Sequence, residues 1–450
     1  MRTLRSLRLI VPMLLLAVLV AACSPTQTTG GSATKTPNAT GTAAASHPFC
    51  VAPSGAQAAR STLASRDAAP FTPQQFRDAY GVTPLLNQGY TGKGQTVVVI
   101  DSFGSPTLQD DINAFDQQYN LPPITLQILS PLGSKPFDPS NQDMQGWAGE
   151  TSLDVQVIHS IAPDANIVVL TSPVDETEGT VGLPQFRQIE EYAVNHHLGN
   201  IISQSWGASE VTLADQAGQQ EISQWTSFYQ QATTQDGVTF FVGSGDSGAT
   251  DLANCDVNNK IYSTTPTTSF PSDEPWVTSV GGTTLSSDGN GNYSETAWTD
   301  SGGGFSKFFK EPDFQQQLPS SDQSQLNGRR GVPDVAADAD PASGWPIYVL
   351  GQQQIIGGTS AACPFWAALT AIADQMAGHP LGFINPALYK LGLSSSYSQD
   401  FRDITSGNNS ADAQGTTVQG YNAVPGWDPI TGWGTPNAAK LLPALIAAAG

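Results

Sequence analysis

The segment Gly357-Gly358-Thr359-Ser360-Ala361-Ala362-Cys363-Pro364 sets a serine between a glycine pair and an apolar run that continues through Phe365 and Trp366. A serine at a helix N-terminus sits where the dipole and free N–H groups favour an alkoxide or oxyanion. Ser360 therefore reads as a nucleophile, with Pro364 expected in the first helical turn. A hydroxyl nucleophile needs a base. Glu150 and Asp154 stand four apart, a spacing that on a helix puts both carboxylates on one face, beside an apolar stripe of Leu153, Val157 and Ile161. Two packed acids so placed share a proton and raise one apparent pKa, so that one can act as base and the other can orient it. A third feature is the run Gly243-Ser244-Gly245-Asp246-Ser247-Gly248, whose glycines let backbone approach a ligand closely.

The serine turn resembles the nucleophile motif shared by subtilisins and sedolisins. Subtilisins use a histidine base oriented by an aspartate at the end of an early strand. Asp101 ends such a strand, yet none of His47, His159, His196, His197 and His379 lies in the expected His-Gly-Thr-His setting. Asp101 is thus read as a strand-end carboxylate that caps or turns the chain. Glu150-x-x-x-Asp154, followed by an apolar helix ending Ile161-Ala162-Pro163, resembles the sedolisin (serine-carboxyl peptidase) pattern. The resemblance implies Glu150 as general base and acid, Asp154 behind it, and Asp246 in the oxyanion hole, where a carboxyl donates only while protonated. It also implies that Ser205, Trp206 and Gly207, with Gly302 and Gly303, line the peptide cleft, their segments pairing through the backbone with an extended substrate. One Ca²⁺ is implied near the end of the chain, held by the side chains of Asp403 and Asp428 and by carbonyls of Ile404, Val424 and Gly426; Val424 stands where the family usually has Gly. The segment from Arg330 to Pro341 resembles the family too, with no chemistry read from it.

Positioning these residues takes a regular frame. Strands are expected over Gln95–Asp101, Ala165–Thr171, Asn200–Ser205 and Val238–Ser244. Helices are expected over Leu108–Leu121, from about Glu150 to Ile161, over Pro184–Leu198 and over Trp225–Asp236. This alternation predicts an α/β fold, a parallel sheet flanked by helices on both faces, and the resemblance makes it subtilisin-like. The C-terminal third reads as more irregular, and no second folded domain is expected.

The domain reading assigns residues 1–22 to a lipoprotein signal peptide, 23–70 to a flexible Ser/Thr/Ala/Pro/Gly-rich linker and 71–450 to the peptidase catalytic domain. Arg2, Arg5 and Arg8 precede an apolar run, and Val20-Ala21-Ala22-Cys23 resembles the bacterial lipobox. The expectation is an exported, monomeric protein at the cell surface, tethered to the membrane by a lipid on Cys23. Sedolisins generally carry a long prodomain, for which the stretch from Cys23 to Phe71 leaves no room. Lys+Arg 18 against Asp+Glu 39 gives a formal charge of -21, which argues against nucleic acid as a partner and leaves protein or peptide substrates. Cys50 and Cys255 are the expected disulfide pair, and Cys363 a core residue. The leading function is acid endopeptidase; the alternatives are tripeptidyl-peptidase action and a catalytically silent surface-binding lipoprotein.

Overall fold

The computed structural model describes residues 71–256 and 259–450. The signal and linker segments, Cys23, His47 and Cys50 lie outside the described residues. Cys255 is disulfide-bonded, and Cys363 is a buried free thiol. No helix among the described residues is long and apolar enough to cross a membrane.

In chain order the elements that frame the site are α1 (Pro73–Ala79), β1 (Thr96–Ser102), α2 (Leu108–Tyr119), β2 (Gln127–Leu129), α3 (Gln142–Ile161), β3 (Asn166–Ser172), α4 (Leu183–Asn195), β4 (Ile201–Gln204), α5 (Gln216–Gln235), β5 (Thr239–Gly243), β6 (Thr278–Ser287), β7 (Tyr293–Ala297), β8 (Val335–Asp338), α6 (Thr359–Ala377) and α7 (Ala438–Ala449). The sheet order is β8-β6-β5-β4-β1-β3-β2, all parallel, with β7 antiparallel to β6. Alternate residues of one strand enter opposite cores. Val97, Val99, Ile167 and Val169 face the cluster built with α3, α6 and α7. Val98, Ile100, Val168 and Leu170 face the cluster built with α4 and α5. Near-continuous Val/Ile runs are what strands buried on both faces require, so the α/β reading with helices on both sides holds.

Two helices begin well before their expected starts. α3 starts at Gln142, where Asn141 caps it by accepting N–H bonds from Asp143 (2.8 Å) and Met144 (3.1 Å). Gly149, one residue before the expected start, lies within the helix. α5 starts at Gln216 behind a cap from Asp215 to the N–H of Gly218 (2.7 Å). In both cases an Asx cap set the start, while the apolar period that marks a helix in sequence begins a turn or two later. The C-terminal third is, as expected, less regular: short two-stranded pairs such as 304–310 with 329–332.

The one basic side chain among the largest fully buried groups is Arg330. Its guanidinium forks onto Asp334 at 2.7 and 2.6 Å. The same carboxylate accepts from the Ser279 N–H (2.8 Å) and the Tyr389 hydroxyl (2.9 Å). This hub ties β6, β8 and the helix at Asn385–Gly392 together, and it accounts for the Arg330–Pro341 segment. Other buried acids have no such partner. Glu176 and Glu190 are fully buried with all four carboxylate oxygens unpartnered. Burial pushes Glu274 and Asp374 each up to about 7.

Two outcomes follow for stability. Arg330→Met strands Asp334 in the core and is expected to cost about 3–5 kcal/mol in denaturant unfolding, a loss near zero being the contrary result. The unpaired acids act through pH. A carboxyl whose folded pKa exceeds its unfolded one holds its proton more tightly when folded, so its stability is full below about pH 4 and drains away as pH rises through the folded value. Asp374, lifted from 3.8 to about 7, loses on the order of 4 kcal/mol across that interval. Urea unfolding of the whole chain is expected to show falling stability from pH 4 to pH 7; a flat or rising profile contradicts it.

Candidate active site

Ser360 is the second residue of α6, behind Gly358 as N-cap at φ 107. That conformation suits glycine alone, and a Cβ there would lie 2.6 Å from Oδ2 of Asp246. Pro364 is the sixth helical residue, one turn later than its sequence reading, because the helix begins at Thr359. Its missing N–H leaves the Ser360 carbonyl without the usual helical donor. Ser205 Oγ comes within 3.3 Å of that carbonyl and, with the same single proton, within 2.9 Å of Asp154 Oδ1.

α3 packs against α6 and brings Glu150 and Asp154 beneath the serine, 2% and 0% exposed. Glu150 Oε1 and Asp154 Oδ2 have no hydrogen-bond partner. Burial drives the Glu150 carboxyl well above the ordinary range, helped by the charges of Asp101 and Asp246, while the hydroxyls of Ser360 and Ser205 oppose the rise. Asp154 is raised well above its ordinary range by burial, then by Asp101 and Glu150. Both acids thus hold protons far above the pH at which a solvated pair would lose them.

Asp101 is not the cap its position suggested. It is fully buried at the end of β1 and neither oxygen has a partner. Thr151 spends its only proton on the Trp147 carbonyl (2.8 Å). Burial pushes Asp101 up to about 7, and its charge is the largest acting on both Glu150 and Asp154. The site is therefore a cluster of three carboxylates. The signal was present in sequence, since an acid at the carboxyl end of a parallel strand sits where such folds place their chemistry.

Asp246 follows β5 and is tied to the residue before the serine. Its Oδ1 accepts from the Thr359 N–H and hydroxyl, both at 2.8 Å, and the Thr359 hydroxyl oxygen accepts from the Gly245 N–H at 3.1 Å. Oδ2 is buried and unpartnered. Burial lifts this carboxyl to about 6, against the pull of the Thr359 bonds. A protonated Asp246 has Oδ2 free to donate. The described histidines are elsewhere: His159, at the other end of α3, pairs with Asp116 at 3.1 Å. Cys363, held at 3.4 Å from Ser203 Oγ, is pushed by burial up to about 12, an inert thiol.

The residues expected to line a cleft through their backbone have buried side chains or no room for one. Ser205 turns into the carboxylate cluster. Trp206 is packed in the core against Phe186 (4.7 Å between centroids) and Trp225 (5.7 Å). A Cβ at Gly207 would lie 2.9 Å from the Phe270 carbonyl oxygen; at Gly302 it would lie 2.1 Å from that of Ser244, and at Gly303 2.1 Å from that of Pro429. What these glycines can offer a peptide is main chain.

Of the five residues expected at a cation, Gly426 N–H donates to Asp403 at 3.2 Å, and Val424 N–H to Asp428 Oδ2 at 3.2 Å. Asp428 is fully buried and also accepts from the N–H groups of Ile430 and Thr431, both at 2.9 Å, while Asp403 accepts from the Tyr397 hydroxyl at 3.0 Å. Neither carboxylate joins any salt bridge among the described residues, and no group of three or more His, Cys, Asp or Glu side chains among them is arranged to hold a metal. Two acids without a basic partner supply the charge a hard cation asks for, and its remaining ligands would have to be backbone oxygens.

The subtilase family profile matches residues 141–422, a stretch that contains Glu150, Asp154, Asp246 and Ser360. Kumamolisin of Bacillus sp. (strain MN-32) is 33% identical over 397 residues, covering 86% of this chain and 66% of that protein. Sedolisin of Pseudomonas sp. (strain 101) is 34% identical over 403 residues, covering 86% and 63%. The chain thus spans somewhat less than two thirds of the length of these relatives. The solved structure of Pseudomonas sedolisin, a serine-carboxyl proteinase complexed with two molecules of pseudo-iodotyrostatin, aligns with a TM-score of 0.66 at 29% identity, over 84% of this chain and 98% of that one. With a serine turn, a doubly wound parallel sheet and buried acids in place of a histidine, the chain belongs to the subtilase family, on its sedolisin (serine-carboxyl peptidase) side.

Proposed function

We propose that this chain is an acid-active serine-carboxyl endopeptidase that hydrolyses peptide bonds in protein substrates. The observation that carries the reading is the company Ser360 keeps: the buried carboxylates of Glu150, Asp154, Asp101 and Asp246, each with at least one unpartnered oxygen, with no imidazole of the described residues among them. Ser360 Oγ attacks the scissile carbonyl carbon while its proton passes to the Glu150 carboxylate. Asp154, held by Ser205, keeps a proton within the acid cluster so that Glu150 can be the charged member. The new oxyanion takes a hydrogen bond from protonated Asp246. Collapse of the tetrahedral species breaks the C–N bond, and Glu150 returns the proton to the leaving amine. The acyl-serine ester is then hydrolysed by water, with Glu150 again accepting and returning one proton. Asp101 is a positioning residue: pushed up to about 7 by burial, it keeps its own proton in acid, and its ionisation as pH rises opposes that of Glu150 and Asp154.

One Ca²⁺ is part of the proposal, held by the side chains of Asp403 and Asp428 and by carbonyls of Ile404, Val424 and Gly426. It would neutralise two acids and pin the C-terminal turns. An export signal and acylated Cys23 would set the enzyme at the cell surface.

Casein digestion in acid is expected to vanish in Ser360→Ala and in Glu150→Gln; undiminished turnover in either removes the mechanism. Asp246→Ala is expected to lower kcat by about 10²–10³. Parent activity should fall as pH rises through about 6, where Asp246 loses the proton it must donate. Chelation with EDTA is expected to lower the melting temperature, and an unchanged value with no calcium by elemental analysis would remove the ion from the proposal.

A further inference from the structure

The chain reaches Ser360 by way of a hairpin that takes no part in the chemistry above. Its strands, Trp345–Val349 and Gln352–Ile356, pair antiparallel from Trp345 with Ile356 to Val349 with Gln352. The second strand ends at Ile356, and the serine helix begins at Thr359 after only Gly357 and Gly358. That connection has no slack. The Gly358 N–H donates to the Ala339 carbonyl at 2.5 Å, and a Cβ on Gly357 would overlap the same carbonyl oxygen. A displacement of the hairpin is therefore passed on to Ser360.

The hairpin is fastened to the helix that bears the acids. Gln156, fully buried, follows Asp154 by two residues on α3. Its Nε2 donates to the Tyr348 carbonyl at 2.7 Å, and its Oε1 accepts from the Tyr348 N–H at 2.8 Å. One primary amide thus meets both main-chain groups of one strand residue, as a neighbouring strand would, and fixes the strand against sliding and rotation. About two turns earlier the same helix meets the end of the hairpin, where a Cβ on Gly149 would lie 4.0 Å from Ile356 Cδ1. Glu150 and Asp154 lie between these two contacts. The hairpin is itself held at both ends: Asp111 on α2 accepts from the Leu350 and Gly351 N–H groups at 2.9 and 2.8 Å, and Phe76 stacks on Trp345 with ring centroids 3.7 Å apart. Gln156 therefore grips an arm that does not give way, and what it sets is the placement of α3 against the serine turn. Transfer of a proton between a hydroxyl and a carboxylate is sensitive to such placement, a shift of about 1 Å costing on the order of a hundredfold in rate.

We infer that Gln156 is a positioning residue for the proton transfer: by locking the hairpin to α3 it fixes Ser360 relative to Glu150 and Asp154. The inference rests on the peptidase reading and adds to it a residue that touches neither the nucleophile nor the acids.

The test compares the parent with Gln156→Leu, which removes both hydrogen bonds at similar volume, and with Gln156→Glu. In acid the buried glutamyl group keeps its proton, so it can donate to and accept from Tyr348 as the amide does. Turnover of an internally quenched peptide that the parent cleaves is followed at about pH 4, at a temperature where circular dichroism shows each protein folded. Gln156→Leu is expected to lower kcat by about tenfold to a hundredfold with KM within about twofold of the parent value. Gln156→Glu is expected to restore kcat to within about threefold of the parent. Should Gln156→Leu not fold, Gln156→Asn, an amide one methylene short of Tyr348, takes its place with the same expected loss. A Leu variant that melts lower yet keeps the parent kcat makes the two bonds structural only and overturns the inference, as does a loss of equal size in the Glu variant or a loss carried by KM. A parent that cleaves no peptide in acid strikes the peptidase reading and the inference with it, whereas a cleaving parent with an unimpaired Leu variant strikes the inference alone.

Discussion

Desolvation of carboxyl groups around one serine is the constraint on which the site depends. Glu150, Asp154 and Asp101 are removed from water with no guanidinium or ammonium paired to them among the described residues. Charging one makes charging the next harder, so the cluster keeps protons well above the range of solvated acids. The same effect acts on Asp246. In the proposed mechanism a base that is also the later acid, and an oxyanion donor that is itself a carboxyl, both need that retention. Acid operation would then be a property of burial, with the individual residues supplying geometry.

The frame delivers this burial by bringing helices onto the carboxyl ends of parallel strands. β1 ends at Asp101's neighbour Ser102, β4 at Gln204 just before Ser205, and β5 at Gly243 just before the Asp246 turn. α3 and α6 pack on one face of that sheet and on each other. Two links couple the pieces at atomic level. Thr359 joins the serine helix to the Asp246 turn through three hydrogen bonds, two to Asp246 and one from the Gly245 N–H. Ser205 lies between that helix and Asp154, its one proton within reach of both the carboxylate and the carbonyl that Pro364 leaves open. A substitution that leaves Ser360 in place but loosens either link changes where the charges sit relative to the hydroxyl.

What was legible beforehand follows a physical rule. Local chemistry was readable where it strains the backbone or breaks a pattern: Gly358 with Ser360 and Pro364, the i,i+4 acids on an apolar helix, the glycine turn at Asp246. The alternation of β-branched runs and helical periods gave the parallel sheet within a residue or two at most strand ends. Two things escaped. Asp101 looked like a cap because its partners in the cluster are acids some fifty residues away, and repulsion between acids leaves no mark on spacing. The start of α3 was missed because an Asn cap precedes eight residues with little apolar period.

The protein treats buried acids in two ways, and the contrast explains the placement of its few cations. At Asp334 the carboxylate is matched by the Arg330 fork, a Ser279 N–H and the Tyr389 hydroxyl, and the result ties strands and a helix together. An arginine set the same way beside Glu150 would favour the charged form strongly, lowering the basicity of the group that must take a proton from serine and making it a poor acid for the leaving amine. Stability and chemistry therefore ask opposite things of a buried carboxyl. With 18 basic residues against 39 acidic ones, the chain fulfils the first at Arg330 and leaves the serine cluster to the second. The cost is borne above acid pH, where unpaired acids in the core must ionise without compensation, so the conditions that suit the catalytic cluster are also those in which the fold is most secure.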